Sequence, residues 1–194
     1  MKIVSFDIES TDLKANMGIL LCAAFLPIVP EGYYSNHRNQ PPKPYALKLE
    51  RSEHNKHEPN PDKELAVAIR DELEKYDLAV TWNGKLFDVP FLNARLLYFR
   101  ERRARLHWHL DLMYQARGSQ NKIGRSALVS VQQYLGISEE EGKTALNWDV
   151  WKAAGLGDPK AMATVVDHCK RDTDVLAKAY WRFLEGVSRL ERSM

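Results

Sequence analysis

The stretch "FDIES", residues 6–10, decides how this chain is read. It follows Ile3 and Val4, and the short, apolar, β-branched run over residues 2–8 predicts a buried strand. Side chains two apart on a strand point the same way, so Asp7 and Glu9 share a face. Two neighbouring carboxylates repel each other and lose solvation when half buried. A positive partner must sit against them, and the rest of the sequence has to supply or recruit it.

The chain has 194 residues, enough for one domain, 1–194, with a real core. With 44% hydrophobic and 28% charged residues it has the composition of a soluble globular protein. No apolar run approaches the ~20 residues of a membrane span. The longest, Ile19 to Val29, is broken by Pro27. No basic flank and apolar stretch of secretion-signal type opens the chain. Cys22 and Cys169 lie in a strand-like and a helix-like run, which indicates no disulfide framework and a reducing, cytoplasmic setting. The net charge of +2 is too mild to imply nucleic acid by itself. Arg95, Arg100, Arg102, Arg103 and Arg105 crowd into eleven residues, read either as a solvated helix face or as a phosphate-binding one.

Strands are expected at residues 2–8, 19–26, 45–49 and 78–82. Helices are expected at 62–76, 90–105, 126–135, 148–155 and 159–185, and 110–113 is short and ambiguous. Residues 30–44 and 51–61 read as loops from their Pro, Asn and Gly content. Early strands followed by later helices make the chain α/β or α+β.

Two further acidic sites follow the first. In "TWNGKLFDVPFL", residues 81–92, a strand ends at the turn dipeptide Asn83-Gly84, and Asp88 precedes Val89-Pro90 at a helix start. Taken alone, Asp88 reads as a helix N-cap. That role competes with metal binding, since an oxygen on a cation is less available to backbone amides. In "VVDHCKRDTDVLAKAYWRF", residues 165–183, helical phase separates the acids. Val166, Cys169, Thr173, Leu176, Tyr180 and Phe183 form the core arc at about 100° per residue. Asp172 falls at its edge, with His168 one turn earlier on the same side. Asp174 falls opposite, beside Lys170 and Lys178. A lone core-edge histidine is most often structural, so His168 has that second reading.

Carboxylates from a first strand, a strand-to-helix junction and a late helix can converge. An all-oxygen donor set suits two Mg²⁺ or Mn²⁺ ions rather than Zn²⁺. Two such ions about 3.5–4 Å apart serve phosphodiester displacement.

The three segments "FDIEST", "WNGKLFDVPFL" and "HCKRDTDVL" resemble the exonuclease motifs of the DEDD superfamily of 3′–5′ exonucleases, which has a ribonuclease H-like fold. The middle one is similar to the proofreading motif of family-B DNA polymerases. The "GDPKAMATVVDHCKRDTDVL" segment looks closer still to the YprB-type family. The resemblance covers residues 6–180. It implies an α/β fold with a mixed central sheet flanked by helices. It also implies that Asp7, Glu9, Asp88 and Asp172 hold the metals, that Thr11, Leu13, Asn83 and Phe87 line the path of the terminal nucleotide, and that His168 assists the attacking water. Asp111 resembles a supporting acid of the YprB-type proteins; His107 and His109 read as bland, with no Cys or third His nearby. Two departures stand out. Asp12 places a negative charge near the substrate entrance, and His168 stands four positions before Asp172, with three residues between, a spacing at which one subclass has Tyr. The implied activity is exonucleolytic hydrolysis of a single-stranded 3′ end, with DNA favoured over RNA, and a replication or repair protein as partner. The rivals are an endonuclease on hybrid or branched substrates and a non-catalytic nucleic-acid-binding module.

The helical phase makes a direct prediction. Asp174→Asn should leave stability within about 0.5 kcal/mol and keep activity on a labelled strand, whereas Asp172→Asn should lose it. The reverse pattern would show the phase to be misread.

Overall fold

A computed structural model describes residues 1–29, 41–52, 55, 57–118, 121–123, 127–137 and 147–191, the last seven without their side chains. Most of the expected 30–44 loop, parts of the 51–61 loop and residue 126 lie outside the described residues. Five strands, β1 (Ile3–Ser10), β2 (Leu20–Ile28), β3 (Tyr45–Lys48), β4 (Leu78–Thr81) and β5 (Trp108–Asp111), form one sheet in the order β3-β2-β1-β4-β5. The β1-β2 and β2-β3 pairs are antiparallel and the β1-β4 and β4-β5 pairs parallel, so the sheet is mixed. The ambiguous segment at 110–113 divides into the end of β5 and the start of a helix.

The strand expectation for "FDIES" holds, and the two faces of β1 differ in kind. Val4, Phe6 and Ile8 enter the apolar core, with Phe6 against Phe25 at 5.3 Å between ring centroids. Ser5, Asp7 and Glu9 point the other way, opposite Leu26, Ala24 and Cys22 of β2. That second face lies under α6 (Pro159–Glu191), whose buried residues Met162, Val165, Cys169, Thr173, Leu176, Ala179 and Tyr180 recur at helical spacing. Hydrogen bonds fasten helix to strand. Ser5 Oγ donates to the Thr173 carbonyl at 2.8 Å, and Cys169 Sγ donates to the Asp7 carbonyl at 3.4 Å. Asp172 is thereby set beside the acidic face of β1. At the far end of β1 the register slips between Glu9 and Ser10, which pair with Cys22 and Leu20 and leave Leu21 unopposed. Such a bulge re-aims the side chains next to it.

The opposite layer is built from α1 (Lys63–Leu73) and α2 (Asp88–Tyr98). Their joint is a buried ion pair. Arg95 Nη2 and Nε donate to Asp62 at 2.6 and 2.9 Å, and the guanidinium also reaches the Asn60 side chain and the Ala15 carbonyl. Tyr98 and Phe99 stand 5.0 and 5.1 Å from it. Asp62 accepts in addition from the Leu20 amide at 2.9 Å, so its carboxylate caps nothing although it precedes α1.

Two sequence expectations are corrected here. The helix expected over 90–105 spans Asp88–Tyr98. It closes with the Arg100 amide bonded to the Leu97 carbonyl and the Glu101 amide to Leu96, a Schellman arrangement. Arg100 fills its left-handed position at φ 60°, where glycine is usual, so the stop carries no glycine signal. The arginine cluster is therefore not one helix face. Arg95 is buried, Arg102 pairs with Glu74, and Arg100, Arg103 and Arg105 lie exposed past the helix. They precede the start of β5, at the end of the parallel strands away from Asp7 and Glu9.

The Asp62–Arg95 pair leads to a stability prediction. Asp62→Asn strands a buried guanidinium, which costs about 3–5 kcal/mol, readable as a lowered urea midpoint. A loss under about 1 kcal/mol would show that the joint tolerates an unpaired charge.

Candidate active site

Each acid arrives by a different local route. Asp7 and Glu9 come from strand alternation. Asp88 comes from the turn after β4. Asn83 takes φ 64° there, and Gly84 lies so close to the Thr81 side chain that no Cβ would fit. The Phe87 and Val89 amides bond to the Asn83 and Gly84 carbonyls, which leads the chain straight into α2. Asp88 is the first residue of that helix rather than its cap. Its Oδ1 reaches across and accepts the Ile8 amide at 3.0 Å, where β1 has run past its pairing with β4. The N-cap reading of Asp88 is thus replaced by a bond to the neighbouring strand.

Asp111 has the supporting place expected for it. It accepts from the Asn83 and Lys85 amides at 2.9 and 3.0 Å, and caps α3 (Leu112–Arg117) through the Met113 amide. One buried carboxylate so fixes the turn that delivers Asp88. His109 is bland as read, with Nε2 2.8 Å from Thr81 Oγ1 and burial lowering its pKa. His107 is exposed.

Asp172 and His168 face the same space from α6. His168 Nε2 stands 3.6 Å from Glu9 Oε1 and 3.8 Å from Asp172 Oδ2. Asp174 points away and pairs with Lys178 at 2.6 Å. The four acids feel one another. Burial first, then Asp88, Glu9 and Asp172, hold the Asp7 carboxyl well above the usual carboxylate range. Burial pushes Glu9 up to about 8 against a hydrogen bond from Trp151, with Asp172 and Asp88 adding repulsion. Burial takes Asp88 to about 7, opposed by the Ile8 amide and reinforced by Asp111 and Asp172. Cys169, kept protonated by burial and by Cys22, also donates to Asp7 Oδ2 at 3.3 Å.

The residues implied for the nucleotide path divide. Leu13 and Phe87 line a pocket of about 190 Å³ with Glu9, Ser10, Trp148 and Trp151. Thr11 and Asn83 are not among its described walls. The Thr11 hydroxyl accepts the Ile19 amide at 3.0 Å, and its methyl abuts Gly155. Asn83 contributes its backbone to the turn. Asp12 accepts the Lys14 amide at 2.9 Å and so shapes the β1-β2 connection. Sequence reasoning missed Trp148 and Trp151, of α5 (Trp148–Gly155). The available signal was two tryptophans three apart in "NWDVWKAAG", which share one side of a helix.

A family model of the RNase_H superfamily matches residues 4–183. The chain belongs to the ribonuclease H superfamily. Among solved structures it is similar to the family B DNA polymerase from the hyperthermophilic archaeon Pyrobaculum calidifontis. Identity is 18% and the TM-score 0.65, over 92% of this chain and 24% of that one. This ribonuclease H-like chain thus spans about a quarter of the polymerase, and at that identity the likeness speaks for the fold. No curated protein matches it. Superfamily membership supports nuclease activity in general, with nucleic acid as substrate, and no described helix is long and apolar enough to cross a membrane.

The donor chemistry suits hard divalent cations. Four carboxylates from three elements converge, and burial first, then mutual repulsion, raises the pKa of Asp7, Glu9 and Asp88, which a cation would offset. Among the described residues no three acidic, His or Cys side chains stand placed to hold a metal ion together. Glu9 is turned instead towards Trp151 and His168.

The sign of the pH dependence follows. In the cation-free protein Glu9 and Asp88 hold protons to about 8 and about 7, whereas the unfolded chain releases them near pH ~4. Between those limits the native state binds more protons, so stability is full at low pH and falls as pH rises through the folded values. Melting in EDTA should drop from pH 5 to pH 8, by on the order of a few kcal/mol. Glu9→Gln should flatten the drop, and Mn²⁺ should raise the melting temperature more at pH 8 than at pH 5. A cation-free melting curve that climbs over this range would contradict the assignment.

Proposed function

We propose that this chain is a metal-dependent 3′–5′ exonuclease that takes a single-stranded 3′ end, DNA in preference to RNA, and releases the terminal nucleotide. The observation that carries the reading is the convergence of Asp7, Glu9, Asp88 and Asp172 beside an aromatic pocket of about 190 Å³. The four carboxylates are the donors for two Mg²⁺ or Mn²⁺ ions. When bound, such ions neutralise the acids, lower the pKa of water and stabilise charge on the leaving oxygen.

The chain's own groups do the remainder. Phe87, Leu13 and Trp148 offer apolar surface to the terminal base, and stacking on an aromatic ring is tolerant of sequence because every base has a π-face. His168 lies between Glu9 and Asp172 and is 35% exposed, so it meets both the acids and solvent. Its Nε2 accepts the proton of the attacking water, with Asp172 one helical turn on to stabilise the imidazolium. Asp111 and Gly84 act earlier, by holding the turn that aims Asp88.

The test is digestion of matched single- and double-stranded DNA and RNA with Mg²⁺ or Mn²⁺, with products resolved by length. Single-nucleotide steps from the 3′ end, a stall at a blocked 3′ terminus and loss of activity in EDTA or in Asp7→Ala are expected. His168→Ala should be slower by about 10²–10⁴-fold at nearly unchanged Mn²⁺ affinity. Internal cutting of the blocked strand would make the chain an endonuclease, and full activity in EDTA would remove the metals from the mechanism.

A further inference from the structure

Trp151 touches three parts of the site at once. Its indole Nε1 donates to Glu9 Oε2 at 2.7 Å. Its ring stands edge-on to His168, 81° between planes and 5.8 Å between centroids. The same ring is a wall of the pocket, with Trp148 6.1 Å away. A tryptophan needed only for its apolar surface has an N–H to satisfy when buried, and here that N–H is spent on a carboxylate.

The two oxygens of Glu9 therefore have different tasks. Oε2 is held by the indole, and Oε1 is the oxygen on the His168 side. The terminal torsion of a glutamate is broad, so a donor fixed on one oxygen decides where the other points. The donor is itself well anchored. Arg51 Nε and Nη2 donate to the Gly155 carbonyl at 3.1 and 2.9 Å, at the end of α5. Gly155 packs so tightly on Thr11 that an added Cβ would meet the Thr11 methyl at 2.6 Å. Thr11 of the β1-β2 connection and Arg51 of the segment after β3 thus anchor α5, which carries Trp151, from two sides.

We propose that Trp151 is the positioning residue for Glu9: its N–H holds Oε2 so that Oε1 faces the divalent cation, while its ring ties that orientation to the base pocket. The inference rests on the metal-dependent nuclease reading and adds a residue that acts through Glu9. Donors behind a ligating carboxylate typically cost 10–100-fold in metal affinity when removed. Trp151→Phe keeps an aromatic ring, a smaller one, and removes the N–H.

Mn²⁺ binding to the full chain, without nucleic acid, is followed by loss of the free-ion electron paramagnetic resonance signal. Wild type, Trp151→Phe, Glu9→Gln and the double variant are compared, with melting in EDTA as the check on folding. Trp151→Phe should weaken Mn²⁺ binding by about 10–100-fold in the wild-type background and cause no further loss in Glu9→Gln. Unchanged affinity, or an equal loss in both backgrounds, overturns the proposal. A second measurement needs no Trp151 variant. The indole ¹⁵N–¹H resonance of Trp151 should shift on adding Mg²⁺ to wild type and stay still in Glu9→Gln. Indifference to Mg²⁺ in wild type overturns the proposal as well. Tight Mn²⁺ binding weakened by Trp151→Phe, without hydrolysis of any strand, leaves the inference standing and sinks the nuclease reading. Hydrolysis by a wild type whose Mn²⁺ affinity ignores Trp151→Phe does the opposite.

Discussion

Repulsion among like charges is the constraint that this structure is arranged around. A strand that carries Asp7 and Glu9 on one face cannot bury that face in hydrocarbon without a large desolvation cost. The chain covers it instead with polar fastenings. Ser5 and Cys169 pin α6 over β1, Trp151 reaches in from α5, and the Ile8 amide receives Asp88 from below the pairing of β4. None of these neutralises charge. The site is thus electrostatically strained in the absence of cations, a strain carried by an otherwise ordinary apolar core on the other side of β1.

Support behind the acids is itself layered. Asp111 holds the Asn83 turn, Gly84 permits its close passage under Thr81, and Thr81 engages His109 on β5. On the opposite face Arg95 and Asp62 bind α1 and α2 to the Leu20 amide at the start of β2 and to the Ala15 carbonyl midway along the connection that also carries Leu13. A basic residue that looks like a nucleic-acid contact in sequence is here a structural rivet.

How far the sequence could be read depended on whether the signal was local. The strand at Asp7, the helix carrying Asp172 and the facing of Asp172 towards His168 while Asp174 turns to Lys178 follow from periodicities of two and 3.6. The Arg100 stop was invisible because αL backbone is normally advertised by Gly or Asn, and an arginine gives no such notice. Arg95 was misplaced because its partner lies 33 residues away, just before α1, and pairing across that distance leaves no trace in spacing. Trp148 and Trp151 were missed for the same reason: their meaning depends on Glu9, 142 residues earlier in the case of Trp151. Thr11 and Asn83, placed on the nucleotide path by resemblance, serve the closure of their loops, Thr11 through its hydroxyl on the Ile19 amide and Asn83 through its backbone.

The hook between Ser5 and Thr173 joins residues 168 apart, and the thiol of Cys169 reaches Asp7 over 162. Contacts of such separation form late, because closure of the intervening chain must be met before they return anything. During synthesis, with the N-terminal part structured first, the β1-β2 hairpin would exist with its two acids bare while the third wall of the site was still unmade. On the proposed nuclease reading a chain of this order would carry its own safeguard: Asp172 and His168 join Asp7 and Glu9 only when α6 has been made and has docked.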